Sequence, residues 1–547
     1  MGFSRRVFMG GVGAGVAAAA LPSFGHARQG AGPVVETAHG RVRGVSRDGV
    51  HVFKAVPYGD TTSGANRFMP PQPPKPWAGV KDCLDYGPQT PQGTSPVSEV
   101  QTPRSPDGYA RLYVGRPEVQ SEDCLILNVW TPALDGAKRP VMFWIHGGGF
   151  STGSGSSPWY DGTNIALKQD VVVVTINHRL NVFGYAHLGA FSDRFADSAN
   201  CGTLDCIAAL QWVRDNISQF GGDPDRVMIH GQSGGGRKTS MLLATTPATG
   251  LYQRAVVQSG AQLRVDTFDT GEAKARRLLA AFNLTPGDVD QLQHLPVADI
   301  QRVQAQAARG QWMPVVGTPS LPGQPCDGVI PTMSSNVPLM LGACRTETSG
   351  FMATEATMDN LDEAGLLLRL EGVQRGQGAP LLEMYRRLYP NSGNAEIAYM
   401  ASSDRGYFLD STLMATARAE QARADTFYYS FDWETPVDDG RFFAPHAVEI
   451  PFTFDSLTHS EVMVGPLTPE KQLLADQVSA LWANFARTGV PSAPGVPAWT
   501  PYNVEQRPTL VINTESRMVD DERGEQRRTM LAFGSQQQVN GRASSPA

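Results

Sequence analysis

Uninterrupted aliphatic runs mark the middle of the chain. PVMFWIH (Pro140–His146), VVVVTIN (Val171–Asn177), RVMIHG (Arg226–Gly231) and RAVVQSG (Arg254–Gly260) are apolar at successive positions and do not alternate with polar ones. Such runs predict strands covered on both faces, as in a parallel sheet. Between them, LDCIAALQWVRDNI (Leu204–Ile217) places apolar residues at helical spacing, and a further helix is expected after Ser233. The stretches Asp266–Ala308 and Asp359–Ala424 are amphipathic with a helical period. Two late strands are predicted, VPLMLGA (Val337–Ala343) and TFYYSFDWE (Thr426–Glu434). Residues 28–134 read as hairpins and loops, and the polar stretch Val97–Gln120 reads as a long surface loop. The alternation predicts an α/β fold, a mostly parallel central sheet with helices on both faces. The two helical blocks, about 266–308 and 359–424, are expected as excursions that wall a pocket above the strand ends.

Composition narrows this little. A chain of 547 residues, 41% hydrophobic and 18% charged, is ordinary for a globular protein. A net charge of -7 with no basic run argues against nucleic acid as a partner. The N-terminus is more informative. SRRVFM (Ser4–Met9) precedes an Ala/Gly/Val stretch to about Leu21, and small residues end at Ala27. This order predicts a secretory signal over residues 1–27. Arg5 and Arg6 followed by Phe8 give it the twin-arginine form. The apolar stretch is too short to anchor the mature protein in a membrane. The expectation is one exported domain, 28–547, periplasmic or secreted, with a disordered tail after about 533. Six cysteines are present, none in a CxxC metal spacing.

The chemistry centres on serine. Gly-x-Ser-x-Gly occurs twice, as GFSTG (Gly149–Gly153) and GQSGG (Gly231–Gly235). A reactive serine needs a strand before it, a strained turn, and a helix after it. Ser233 has both flanks, whereas Ser151 is followed by GSGSSPWYDG, which cannot be a helix. A serine also needs a base, and the base needs an orienting acid. On elbows of this kind the partners follow in the order serine, acid, histidine. After Ser233 come His294, His446 and His459. His446, in the loop after the Thr426–Glu434 strand, is the best placed to hang over the strand ends. Glu347 follows the Val337–Ala343 strand and is the expected acid, with Asp327 and Glu355 as weaker alternatives. HGGGF (His146–Phe150) ends a strand in consecutive glycines, so its N–H groups, with that of Gly234, can approach a developing oxyanion. The pair His446 and Glu449 forms HxxE but lacks the second histidine of a zinc site.

Taken with SEDCLILNVW, NHRLNVFGY, LDCIAALQWVRDNISQFGGDP and HAVEIPF in that order, the chain resembles the type-B carboxylesterases, α/β-hydrolases that include cholinesterases and bacterial para-nitrobenzyl esterases. The likeness runs from Arg28 to about Phe533. It implies Ser233 as nucleophile, Glu347 as acid, His446 as base, and Gly148, Gly149 and Gly234 as oxyanion donors. It implies a disulfide between Cys83 and Cys124, whose 41-residue separation would give ~4 kcal/mol in the chain-entropy picture. It also implies an ion pair between Glu122 and Arg179, an ester substrate and water as partners, and no cofactor. No tryptophan lies between Cys83 and Cys124, so choline esters are not expected as substrates. Two other readings remain at this point. One is a carbamate or amide hydrolase on the same residues, and the other is a non-catalytic binding protein of the same fold.

Overall fold

The structure, a computed structural model, describes residues 32–93, 112, 118–353, 355 and 357–537. The chain divides into Met1–Gly32 and one compact unit, Pro33–Ala547. The signal expected over residues 1–27, and most of the loop expected at 97–120, lie outside the described residues.

In chain order the strands are β1 (Val34–Thr37), β2 (Gly40–Arg43), β3 (Val45–Arg47), β4 (Val50–Pro57), β5 (Val80–Asp82), β6 (Ile126–Thr131) and β7 (Arg139–Ile145). Then follow β8 (Val172–Ile176), β9 (Gly222–Gln232), β10 (Arg254–Gln258), β11 (Leu339–Cys344), β12 (Thr426–Phe431), β13 (Pro508–Ile512) and β14 (Arg517–Asp520). The strands β1, β2 and β5 form a small sheet, and the others form an 11-stranded sheet in the order β14-β13-β12-β11-β10-β9-β7-β8-β6-β4-β3. From β8 through β13 the pairing is parallel, and the edges are antiparallel. Every residue of β7 and β8 is buried. The continuous apolar runs therefore meet helices on both faces, as the uninterrupted pattern requires. This is the α/β-hydrolase architecture.

The first excursion folds as helices Phe268–Ala280 and Val297–Ala308 with a 3-10 segment between them. Its apolar side chains share a cluster with Phe150 and Met241, so it is cemented to the glycine turn and to the helix behind Ser233. The second comprises helices Glu363–Val373, Gly378–Leu388, Asn394–Ser403 and Leu409–Gln421, with a π-helical turn at Asp404–Phe408. Of the tail expected after about 533, residues 538–547 lie outside the described residues, and Ser535 and Gln537 make hydrogen bonds to the main unit. Ser535 Oγ donates to Asp410 at 2.6 Å, and Gln537 Nε2 donates to Asp410 at 2.8 Å and to the Ala261 carbonyl at 2.7 Å. Among the described residues no helix is long and apolar enough to cross a membrane.

Two pairings implied by resemblance are corrected. Cys83 and Cys124 are separate buried thiols, not a disulfide. The Cys124 sulfur lies 3.1 Å from Thr90 Oγ1, and the Cys83 backbone is tied between Arg43 and Lys54. Burial pushes each thiol up to about 12, which keeps both protonated. Arg179 does not meet Glu122. Its guanidinium forks onto Asp205 at 2.6 and 2.8 Å, while Glu122 receives the fork of Arg67 at 2.6 and 2.7 Å. Each carboxylate thus has a bidentate partner of its own.

Candidate active site

The site is assembled at the carboxyl ends of adjacent parallel strands. β9 ends at Gln232 and the helix Gly234–Leu242 starts immediately after Ser233. Ser233 bridges the two at φ 56, ψ −122, a conformation that costs a non-glycine residue ~1–3 kcal/mol. Its N–H bonds the Gln258 carbonyl at 2.8 Å, and its carbonyl accepts the Arg237 N–H at 2.9 Å. The neighbouring elements thereby impose the strain and present the side chain at the turn.

Glu347 follows β11 and His446 follows β12 by a longer loop. The two are brought together: a Glu347 carboxylate oxygen, Oε2, bonds His446 Nδ1, and the His446 N–H bonds the Glu347 carbonyl at 3.2 Å. The other carboxylate oxygen accepts the Cys344 N–H at 2.7 Å, fixing the acid against its own strand. Thr346 locks the two loops, its N–H bonding the Ala444 carbonyl at 3.1 Å and its hydroxyl accepting the Ala444 N–H at 2.9 Å. Both side chains are buried. Gln232, next to Ser233, holds its amide nitrogen 3.3 Å from either ring nitrogen of His446, which brings the imidazole to the serine turn.

The glycine turn lies against the other side of Ser233. A Cβ on Gly147 would lie 3.6 Å from Ser233 Cβ, and one on Gly234 would lie 2.5 Å from Gly149 Cα. Only bare backbone fits between them. Among the described residues no acceptor bonds the N–H of Gly148, Gly149 or Gly234, while the Gly148 carbonyl is occupied by Ser151 and Thr152. Three unpaired donors thus flank the serine.

The other candidates are elsewhere. Ser151 lies in the loop after the glycine turn and accepts a hydrogen bond from Gln311 at 3.0 Å. His294 is exposed, and His459 lines a separate cleft with Trp130 and Asp161. Asp327 pairs with Arg264, and Glu355 with Arg369.

Several residues at the site carried no signal in the sequence. Tyr407, from the π-helical turn of the second excursion, sets its ring 5.0 Å from that of His446, and Phe351 sets its ring at 5.4 Å. Phe351 is 41% exposed, so it marks the mouth. Behind the pair lies Glu449, fully buried, receiving the Cys344 thiol at 3.0 Å. Burial, and then the nearby Glu347 carboxylate, push Glu449 well above the usual carboxylate range. HxxE spacing exposes Glu449 in the sequence, but not its position behind the acid.

The family profile described as the carboxylesterase family matches residues 31–530. A para-nitrobenzyl esterase of Bacillus subtilis (strain 168) is 34% identical over 507 residues, covering 91% of this chain and 98% of the relative. A phenmedipham hydrolase of Pseudarthrobacter oxydans is 30% identical, covering 89% and 96%. Among solved structures, a Geobacillus stearothermophilus carboxylesterase superposes with a TM-score of 0.76 at 36% identity, over 91% of this chain and 99% of that one.

Proposed function

Because this chain belongs to the carboxylesterase family and is a carboxylic-ester hydrolase, we propose that Ser233, His446 and Glu347 are its catalytic triad and that Gly148, Gly149 and Gly234 donate to the oxyanion. His446 takes the Ser233 proton as the hydroxyl oxygen attacks the ester carbonyl. The carbonyl oxygen becomes an anion held by the three N–H groups. The tetrahedral species collapses, the alcohol leaves with the proton from His446, and an acyl-serine remains. Water then repeats the sequence, its proton passing through His446 to Ser233 as the acid is released. Glu347 holds the Nδ1 proton in place, which leaves Nε2 to face the serine, and it stabilises the imidazolium.

The observation that carries this reading is the strained Ser233 between the Glu347–His446 pair and three unpaired backbone donors. Ser233→Ala should lower ester hydrolysis on the order of 10³-fold or more, and Ser151→Ala should leave a folded, active enzyme. An organophosphate label carried by a Ser151 peptide and absent from the Ser233 peptide would refute the assignment. We further infer, from SRRVFM and the apolar stretch after it, export by the twin-arginine route to the periplasm or medium.

A further inference from the structure

The mechanism above leaves unused a charged side chain beneath the glycine turn. Lys238 lies on the helix that starts at Gly234, little more than one turn from the serine, and is 1% exposed. Its Nζ donates to the His146 carbonyl at 3.2 Å, where β7 gives way to the glycines. Contact between helix and turn is close: a Cβ on Gly235 would overlap the Ile145 carbonyl oxygen and lie 3.1 Å from that of His146. The amine therefore lies at the root of the turn that carries Gly148 and Gly149.

Four groups face this amine: His146 after β7, His178 after β8, Cys206 on the helix Cys201–Asn216, and Arg237 on its own helix. The imidazoles stack with centroids 4.7 Å apart and planes 5° apart. Burial, and Lys238 after it, hold both well below the usual imidazole range, so both are neutral. Burial pushes the Cys206 thiol up, so it supplies no anion, and Arg237 is a like charge. Among the described residues no carboxylate lies within ion-pairing distance of Lys238. Lysine is rarely buried without a partner, because a dry ammonium is costly unless a counter-charge compensates it. A leucine or methionine would fill the same space without that cost.

We propose that Lys238 is a positioning residue of the hydrolytic site, its amine pinning the His146 carbonyl and its charged form meeting a counter-ion only when the tetrahedral oxyanion forms above the turn. The proposal rests on the reading of Gly148, Gly149 and Gly234 as oxyanion donors. Attraction between cation and anion is strong where both are held in buried backbone of low polarity. Burial lowers Lys238 to about 7. Below that pH the ammonium assists the oxyanion. As pH rises through it the proton is lost, the neutral amine keeps its hydrogen bond to His146, and the electrostatic assistance disappears.

An aryl trifluoromethyl ketone separates this charge effect from a packing role. Ser233 adds to the ketone carbon, its proton passes to His446, and an anionic hemiketal oxygen occupies the oxyanion site. On the alkaline side that addition takes up no net proton, so affinity is flat with pH unless a further group titrates. The wild-type affinity should decline on the order of 10-fold between about pH 6.5 and 8.5, and kcat should decline with it at unchanged KM. Lys238→Met should begin weaker by that factor at the lower pH and remain flat. Parallel profiles in the two proteins would overturn the proposal. Were the methionine variant not to fold, a flat wild-type profile alone would overturn it. Organophosphate labelling of Ser233 keeps the readings apart: no label in the wild type refutes the triad, whereas labelling in both proteins with parallel profiles refutes only the role of Lys238.

Discussion

Gly148 and Gly149 both have positive φ, +92° and +62°, yet the structure assigns unequal costs to a methyl group at each. At Gly148 the new Cβ would overlap the Thr152 carbonyl oxygen and lie 2.7 Å from its carbon. That carbonyl is backbone in a turn closed by the Thr152 N–H on the Gly148 carbonyl at 3.0 Å, so relief means moving the turn itself. Restoring ordinary contact needs a displacement of about 1 Å, which at a reacting centre costs on the order of 10²-fold. Losing the donor entirely costs about 10²–10³-fold. At Gly149 the Cβ would overlap only Nε2 of Gln311 and lie 3.3 Å from its Cδ, the far end of a flexible side chain. Gln311 can rotate away at the loss of its bond to Ser151 Oγ, leaving a left-handed alanine worth ~1–2 kcal/mol. We therefore predict that Gly148→Ala lowers kcat for an aryl ester by about 10²–10³-fold and Gly149→Ala by less than about 10-fold. Rates are to be normalised to organophosphate-titrated sites, so that unfolded protein is not counted. A Gly149→Ala defect equal to or larger than that of Gly148→Ala would refute the reasoning.

Glu449→Gln tests the carboxyl behind the acid. Its raised pKa means that folding favours the protonated form, so the stability it contributes is present below the unfolded value and lost as pH rises to the folded one. Glutamine removes this dependence, so the melting temperature of the variant should gain on the wild type from about pH 4.5 to 7 and hold a constant offset above; parallel melting curves over that range would show Glu449 ionised in the native state. For export, replacing Arg5 and Arg6 with Lys should leave precursor in the cytoplasm, while exported wild-type protein should begin near Arg28. Unchanged export of the Lys variant would exclude the twin-arginine route.

The strands β7 to β10 were legible because parallel strands covered on both faces leave uninterrupted apolar runs. The helix Pro469–Thr488 was not. It buries Leu474, Val478, Leu481, Trp482 and Phe485, together with Lys471, Gln477 and Ser479, so polar and apolar positions blur into no single stripe. Its ends carried the better signal: Thr468 caps the Lys471 N–H, Pro469 opens the helix, and Gly489 closes it at φ 83. Ser233, Glu347 and His446 could be selected by sequence because each follows a strand. Tyr407 and Phe351 could not, since nothing local says that an excursion will fold back over the histidine. Nor could the exchange of ion-pair partners at Arg179, which is settled only when the helix bearing Asp205 packs behind β8.

The order of the strands explains why the grouping of Ser233, Glu347 and His446 needs its particular small residues. Ser233 ends β9, whereas Glu347 and His446 follow β11 and β12, with β10 between serine and acid. At about 4.8 Å per strand the serine and acid strands stand roughly 10 Å apart, so the acid and base loops must cross above β10. That strand is followed at once by Ser259 and Gly260. Ser259, at φ 48, donates its N–H to the Gly342 carbonyl at 2.8 Å. A Cβ on Gly260 would overlap the Ser233 carbonyl oxygen and lie 2.8 Å from Gly236 Cα. The bare backbone at Gly260 thus lets the chain leaving β10 pack directly against the serine turn. Strain at Ser233 and close backbone approach at Gly260 are two consequences of one constraint: the end of β9, where Gln232 meets the His446 ring, must be reached by a loop that follows β12, with β10 and β11 lying between the two strands.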